Sequence, residues 1–260
     1  MPRRIDGLVN LRDLSGTPTA SGQMVQSGRL WRSENQTMLS DAALDALVDA
    51  GLSDVIDLRT DFEVHGSPSP FVAREGVDYH HFSFFPAAED DDPDVLDQAL
   101  PWVDAELQVT PLTGNEAADA YLMFLGLRPD SVVGALRAVA HADGAALVHC
   151  AVGRDRTGFT VALALALVGV SDEVIAADYA RTSDHIAEVI RRLWTDPTYA
   201  AEAGEVDPVA AMARPDAMLA VLAHLRAQPG GVRQVLAALG WTDTDQAALE
   251  AHLLAPAPPR

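Results

Sequence analysis

Three observations predict an α/β fold with a central, mostly parallel sheet flanked by helices and a helix-rich C-terminal half. Twice a capped amphipathic stretch runs directly into a short apolar run that ends in polar residues, and beyond Gly169 the apolar spacing is helical almost throughout. At 260 residues and 48% hydrophobic, the chain reads as one domain over 1–254 with a frayed tail at 255–260.

In order, Ser40 to Leu52 has an N-cap serine, apolar residues at helical spacing and Gly51 as a stop. "SDVIDLRT" (53–60) then reads as a buried parallel strand where it leaves a sheet. A strand is expected at 77–85, an acidic loop at 87–97 and a helix at 116–127. The second helix-then-strand unit is 129–144 followed by "AALVHC" (145–150). After Gly169 come "SDEVIAADYA", "SDHIAEVIRRLW", "RPDAMLAVLAHLRAQ", "GGVRQVLAALG" and "TDTDQAALEAHLL", the last capped by Thr242 with Asp245 three residues on.

Composition narrows the partners. The 38 acidic residues outnumber 18 basic ones, giving a formal charge of −20, so non-specific binding to nucleic acid or anionic membrane is disfavoured. An anionic ligand must be held by a local positive site. Every basic residue is Arg, a composition bias that discounts individual arginines. The longest apolar run, 159–170, falls short of the roughly 20 residues of a membrane span and reads as a buried helix. One cysteine makes no intramolecular disulfide, and "MPRRIDGLVN" lacks the apolar core of a leader, so a cytoplasmic setting is expected, with leaderless export left open.

That cysteine, Cys150, ends the strand of the second helix-then-strand unit, and a helix is expected to begin near Thr157. The loop between lies where α/β folds bind ligands. Its successive N–H groups (Ala151, Val152, Gly153, Arg154, Asp155) and the helix N-terminus form an anion site, with Gly153 allowing the turn. Such a field favours the thiolate, a nucleophile. Arg156 can present a bidentate fork to two phosphate oxygens, and Thr157 can hydrogen-bond the sulfur when it leaves. His149 is expected to lock the cysteine backbone.

Other chemistries compete. "GRDRTGFT" puts Phe159 where a nucleotide P-loop needs lysine, which excludes that reading. A lone Cys is often a small buried hydrophobe, but His149, Gly153, Thr157 and Gly158 in register with Arg156 argue otherwise. A persulfide site is a further option, whereas a dithiol reductase lacks its resolving cysteine.

"HCAVGRDRTG" (149–158) resembles the H-C-x-x-G-x-x-R-T-G signature of cysteine-dependent phosphatases, in the variant of the atypical bacterial tyrosine phosphatase family. "NLRDLSG" (10–16), "GRLWRS" (28–33), "VIDLR" (55–59), "ADYARTSDHI" and "RPDAMLAVL" resemble that family's other motifs, in order. The resemblance implies a phosphatase-like fold, no metal or other cofactor, and a phosphocysteine intermediate. Cys150 is then the nucleophile, Arg156 the phosphate clamp and residues 151–155 the amide cradle. Substrates would be phosphotyrosine proteins or other phosphomonoesters, with inorganic phosphate as product. Members often carry Lys at the position of Arg154, sometimes with phosphoinositide substrates. A catalytically weak phosphate- or phosphoinositide-binding module is the alternative.

The proton donor is less determined. Asp57 ends the strand expected beside the cysteine strand, and Asp155 lies inside the loop; the two together are the leading candidates. Glu89 to Asp92 and Asp94 read as a solvated loop that supplies the acid less readily. Arg59, Arg12 and Asp13 either brace the site or organise the N-terminal segment, and Asn10 is equally ambiguous. His80 and His81 read as polar strand residues without a metal constellation. Residues 183–206 either form a lid or pack as ordinary helices.

Overall fold

A computed structural model describes residues 5–86, 109–200 and 211–255. Among them five strands form one sheet in the order β1-β2-β5-β3-β4: β1 Arg12–Asp13, β2 Leu30–Ser33, β3 Leu52–Asp57, β4 Asp78–His81 and β5 Ala145–His149. β2, β5, β3 and β4 run parallel, and the two-residue edge strand β1 is antiparallel to β2.

The two-residue period of the strands sorts their side chains into two buried layers. Leu30, Ile56, Ala146 and Val148 face the larger one. It is built from α3 Glu116–Leu127, α4 Pro129–His141, α5 Asp155–Leu167, α6 Asp172–Ala180, α8 Pro215–Ala227, α9 Gly231–Ala238 and α10 Asp243–Leu253. Trp31, Val55, Ala145 and Leu147 face the smaller layer, which Leu44 and Leu47 of α1 Asp41–Asp49 cover together with Leu8 and Phe71. The alternation of helix and strand thus yields the α/β sheet that it predicts, with most helices on one face.

Local chemistry sets the helix starts. Ser40 accepts from the Ala43 N–H at the start of α1, and Thr242 with Asp245 forms a capping box at the start of α10. Several boundaries differ from the sequence reading. β4 covers four residues rather than 77–85: Phe82 N still donates to Asp57 O at 2.9 Å, but Phe84 then turns into the larger core. The stretch after Ala180 divides into a 3-10 turn, Arg181–Asp184, and α7 Ile186–Leu193. A short helix, α2 Asp61–Gly66, occupies a stretch with no helical periodicity, nucleated by a capping box between Thr60 and Glu63. Glu89 to Asp92, Asp94 and the tail beyond Ala255 lie outside the described residues. Among the described residues no helix is long and apolar enough to cross a membrane.

The register matters most for the site. Ser33 and Asp57 both lie level with His149, so β2, β5 and β3 end together and release Glu34, Cys150 and Leu58 at the carboxyl edge of the sheet.

Candidate active site

Cys150 opens a loop of five residues, because α5 begins at Asp155, two residues before the expected start. The first N–H groups of a helix have no intrahelical partner, so the dipole and amides of α5 face the loop. Gly153 sits at φ +73°, and a Cβ there would come within 2.3 Å of Ser33 O. No other residue type fits. The loop is also fastened from outside: Asn35 N donates to Ala151 O at 3.0 Å, and Arg32 Nη2 donates to Gly153 O at 2.9 Å. Cys150 keeps 2% of its surface.

Arg156 is buried and grips Glu63 of α2, Nη1 to Oε2 at 2.5 Å and Nη2 to Oε1 at 3.2 Å, while Nη1 also donates to Leu58 O. Burial opposes its charge, but Glu63 and then Cys150 more than offset this and push its pKa up. Glu63 is itself fully buried and accepts from Thr60 N at 2.7 Å. Its carboxyl is held below the usual range: burial raises it, and the Arg156 charge outweighs burial. One helix start therefore supplies both a cap and the counter-ion of Arg156.

Asp57 has no exposed surface. Arg59 binds it through Nε, at 3.0 Å to each oxygen, and through Nη2 at 2.7 Å; Tyr79 donates to Oδ2 at 2.9 Å. Burial would raise its pKa, but His149 and Arg59 beside it keep it far below the usual range. His149 Nδ1 lies 3.2 Å from Cys150 O, and Nε2 lies 3.7 Å from Asp57 Oδ2. Burial lowers the His149 pKa, and the neighbouring Asp57 charge opposes that shift.

Asp155 is half-buried at the first position of α5. Arg154 Nε donates to its two oxygens at 2.9 and 3.0 Å, and the Tyr121 hydroxyl donates to Oδ1. Burial raises its pKa, and the Arg154 charge followed by these hydrogen bonds brings it below the ordinary value. Arg154 also donates to Ala211 O. The Thr157 hydroxyl is buried with no hydrogen-bond partner among the described residues. Gly158 lies under the Tyr179 ring, where a Cβ would meet Cδ2 at 2.6 Å.

Arg12 and Asp13 diverge from each other. Arg12 binds Asp178 of α6 at 2.7 Å, Asn10 Oδ1 at 2.5 Å and Thr182 at 3.2 Å. Burial and the neighbouring Arg32 lower its pKa to about 10. Arg32 also binds Asp178, at 2.9 Å, so the guanidinium that holds Gly153 is anchored to α6. Asp13 instead accepts from Ser15 N, Ser27 Oγ and Gly28 N, closing the turn into β2. His80 pairs with Asp54, and His81 Nε2 lies 2.8 Å from Arg59 O. Both are partly exposed residues of β4.

Of residues 183–206, the described part packs rather than stands free: Ile186 and Ile190 of α7 bury with Ala211, against Val152 of the loop. Residues 201–206 lie outside the described residues. A solvent-open cleft of about 400 Å³ borders the loop at Ala151, lined also by Glu34, Met38, Leu39, Val189 and Arg192.

The sequence reading missed Glu63, Arg32, Asp178 and Tyr121. The Thr60-x-x-Glu63 spacing signals a helix start, though not the partner of its carboxylate.

The model of the tyrosine phosphatase family matches residues 3–255. The chain is 33% identical over 209 residues to the triple specificity protein phosphatase PtpB of Mycobacterium tuberculosis, covering 74% of this chain and 72% of that one. It is 28% identical over 171 residues to a tyrosine-protein phosphatase of Nostoc commune, covering 65% and 53%. With the cysteine loop at the carboxyl edge of a parallel sheet and motifs running from Asn10 to α8, the chain belongs to the tyrosine phosphatase family.

Proposed function

We propose that this phosphatase hydrolyses phosphotyrosine, and other phosphomonoesters more slowly, through a phosphocysteine intermediate and without a metal. The observation that carries the reading is the pairing of Cys150, at the mouth of an amide-lined loop, with Arg156, whose guanidinium a buried Glu63 holds beside that loop.

Cys150 Sγ attacks phosphorus in line with the ester oxygen; the S–P bond forms as the P–O bond breaks. The amides of 151–156 and Arg156 carry the negative charge of the transferring group. The negative charge of the arriving phosphate ester offsets the arginines that hold Asp155 ionised, so its carboxyl takes up a proton, gives it to the departing oxygen, then takes one from the water that attacks the phosphocysteine, releasing inorganic phosphate and the thiolate. Asp155 suits this exchange because it is half-exposed at the loop, whereas Asp57 is enclosed by Arg59 and Tyr79. Asp57, Arg59 and His149 brace the strand end, and Arg12 braces the loop through Asp178 and Arg32. Asp13 and Gly158 shape the backbone and packing around it. Thr157, whose buried hydroxyl has no partner among the described residues, hydrogen-bonds the leaving sulfur in this reading. α7 walls the loop, and a reducing cytoplasm suits a single thiol nucleophile.

Arg154 is bound to Asp155 and Ala211 O, so it is not offered to a second phosphate, and phosphotyrosine protein ranks above phosphoinositide as substrate. Phosphoserine peptides and a phosphoinositide are the comparison arms.

The test is turnover of p-nitrophenyl phosphate with EDTA present, followed by phosphotyrosine and phosphoserine peptides and a phosphoinositide in mixed vesicles. Wild type is expected to turn over with EDTA, and Cys150→Ser and Arg156→Ala to fall to background. Wild-type rates in Cys150→Ser would overturn the reading. Phosphate binding without turnover of any ester would establish the binding module instead.

A further inference from the structure

A chain of hydroxyls runs from α6 through α3 to the loop. The Tyr179 and Tyr121 hydroxyls lie 2.7 Å apart, and Tyr121 donates to Asp155 Oδ1. Each phenol has one proton, so with Tyr121 donating to the carboxylate, Tyr179 donates to Tyr121. Both rings are buried, packed edge to face with centroids 6.3 Å apart, and Tyr121 also stacks on Phe124. Gly158 gives the Tyr179 ring its room on α5. These rings are fixed by the core on one side and meet the site on the other.

We infer that Tyr121, backed by Tyr179, is the positioning residue of the acid: it ties down Oδ1 and leaves Oδ2 as the oxygen through which the proton enters and leaves. The inference rests on Asp155 being the proton donor, as proposed above. The two oxygens are unequal, since Oδ1 takes the Tyr121 hydroxyl as well as Arg154 Nε, while Oδ2 shares only Arg154 Nε among the bonds described. A proton is least costly on the oxygen with fewer donors. The charged and titratable groups facing Asp155 are Arg154 and Arg156 from the loop and α5, Tyr121 from α3 and Tyr179 from α6. Burial and then the Asp155 charge push the Tyr121 pKa well above 10, and burial and Asp155 push Tyr179 up to about 12, so both remain donors across the working pH range.

The sign follows. A hydroxyl donating to the carboxylate stabilises its charged form, so Tyr121→Phe raises the Asp155 pKa and moves the basic limb of the rate profile to higher pH. It also frees the carboxyl to rotate, which costs more when the leaving group needs a full proton. The experiment measures kcat/KM against pH for p-nitrophenyl phosphate and a phosphoserine peptide in wild type, Tyr121→Phe, Tyr179→Phe, Asp155→Asn and the Asp155→Asn/Tyr121→Phe pair. The expected result is a basic limb shifted upward in Tyr121→Phe, a loss of about tenfold or more on phosphoserine against a much smaller loss on p-nitrophenyl phosphate, and a weaker shift of the same sign in Tyr179→Phe. The pair is expected to be no slower than Asp155→Asn alone. Equal losses on both esters with an unmoved limb in both Tyr variants, while Asp155→Asn is selective for poor leaving groups, overturn the positioning role alone. Asp155→Asn without that selectivity overturns the acid assignment beneath it.

Discussion

The cysteine loop is held between two charged regions built on different plans. On the β3 side, Asp57, Arg59, Glu63 and Arg156 are closed off from solvent, and each carboxylate meets a guanidinium at 2.7 Å or less. On the α5 side, Arg154 and Asp155 keep 23% and 31% of their side-chain surface. Fully buried charges cannot exchange protons with water cheaply, and removing one partner strands the other. The closed region is therefore suited to fixing geometry, and the half-open one to passing protons.

The largest effect is expected in the closed region. Glu63→Gln removes the buried carboxylate charge that pairs with Arg156, and a denaturant midpoint should report a loss of about 3–5 kcal/mol together with a collapse of turnover. Next, Asp155→Asn should leave the midpoint within about 1 kcal/mol of wild type but slow esters with poor leaving groups by about 10²-fold or more, measured as kcat. A midpoint loss in Asp155→Asn as large as in Glu63→Gln would erase the distinction between the regions.

Acid should act on both regions and on Asp178 of α6. Asp57, Glu63, Asp155 and Asp178 have folded pKa values below their unfolded ones. Their stabilisation is complete above the ordinary carboxylate range and lost as pH falls through the lower folded values. Glu34 runs the other way, its carboxyl raised by burial despite the Val9 and Asn10 N–H groups, so it favours the fold at low pH and loses that contribution as pH rises. Asp54, Asp119, Asp130 and Asp245 are lowered as well, so among the described residues eight carboxylates stand against Glu34, and Tm is expected to hold between about pH 7 and 5 and to drop below about pH 4. The smallest effect belongs to an exposed pair: Arg233→Ala, which separates Arg233 from Asp243, should cost about 0–1 kcal/mol by the same midpoint.

What the sequence revealed and what it hid divide along similar lines. The β5-loop-α5 unit is legible because its strand, turn and helix are contiguous, and the Thr242 and Asp245 cap because four residues contain it. Glu63 and Tyr121 are hidden because each meets its partner across 93 and 34 residues, through a fold that no local period encodes. β1 and β2 escape notice for another reason: "RD" and "LWRS" carry buried arginines where a strand pattern expects apolar residues, and those charges are satisfied only once Asp178 arrives from α6. Asp57 was legible as a strand end, but its side-chain partners were not.

Because Ser33, His149 and Asp57 end level, the loop takes its position from counting residues along β5. Inserting or deleting one residue within 145–149 would turn Leu147 and Val148 to the opposite layers and carry Cys150 about 3.3 Å along the sheet. Lineages of this enzyme should accept length changes in their surface connections while keeping this five-residue strand at constant length.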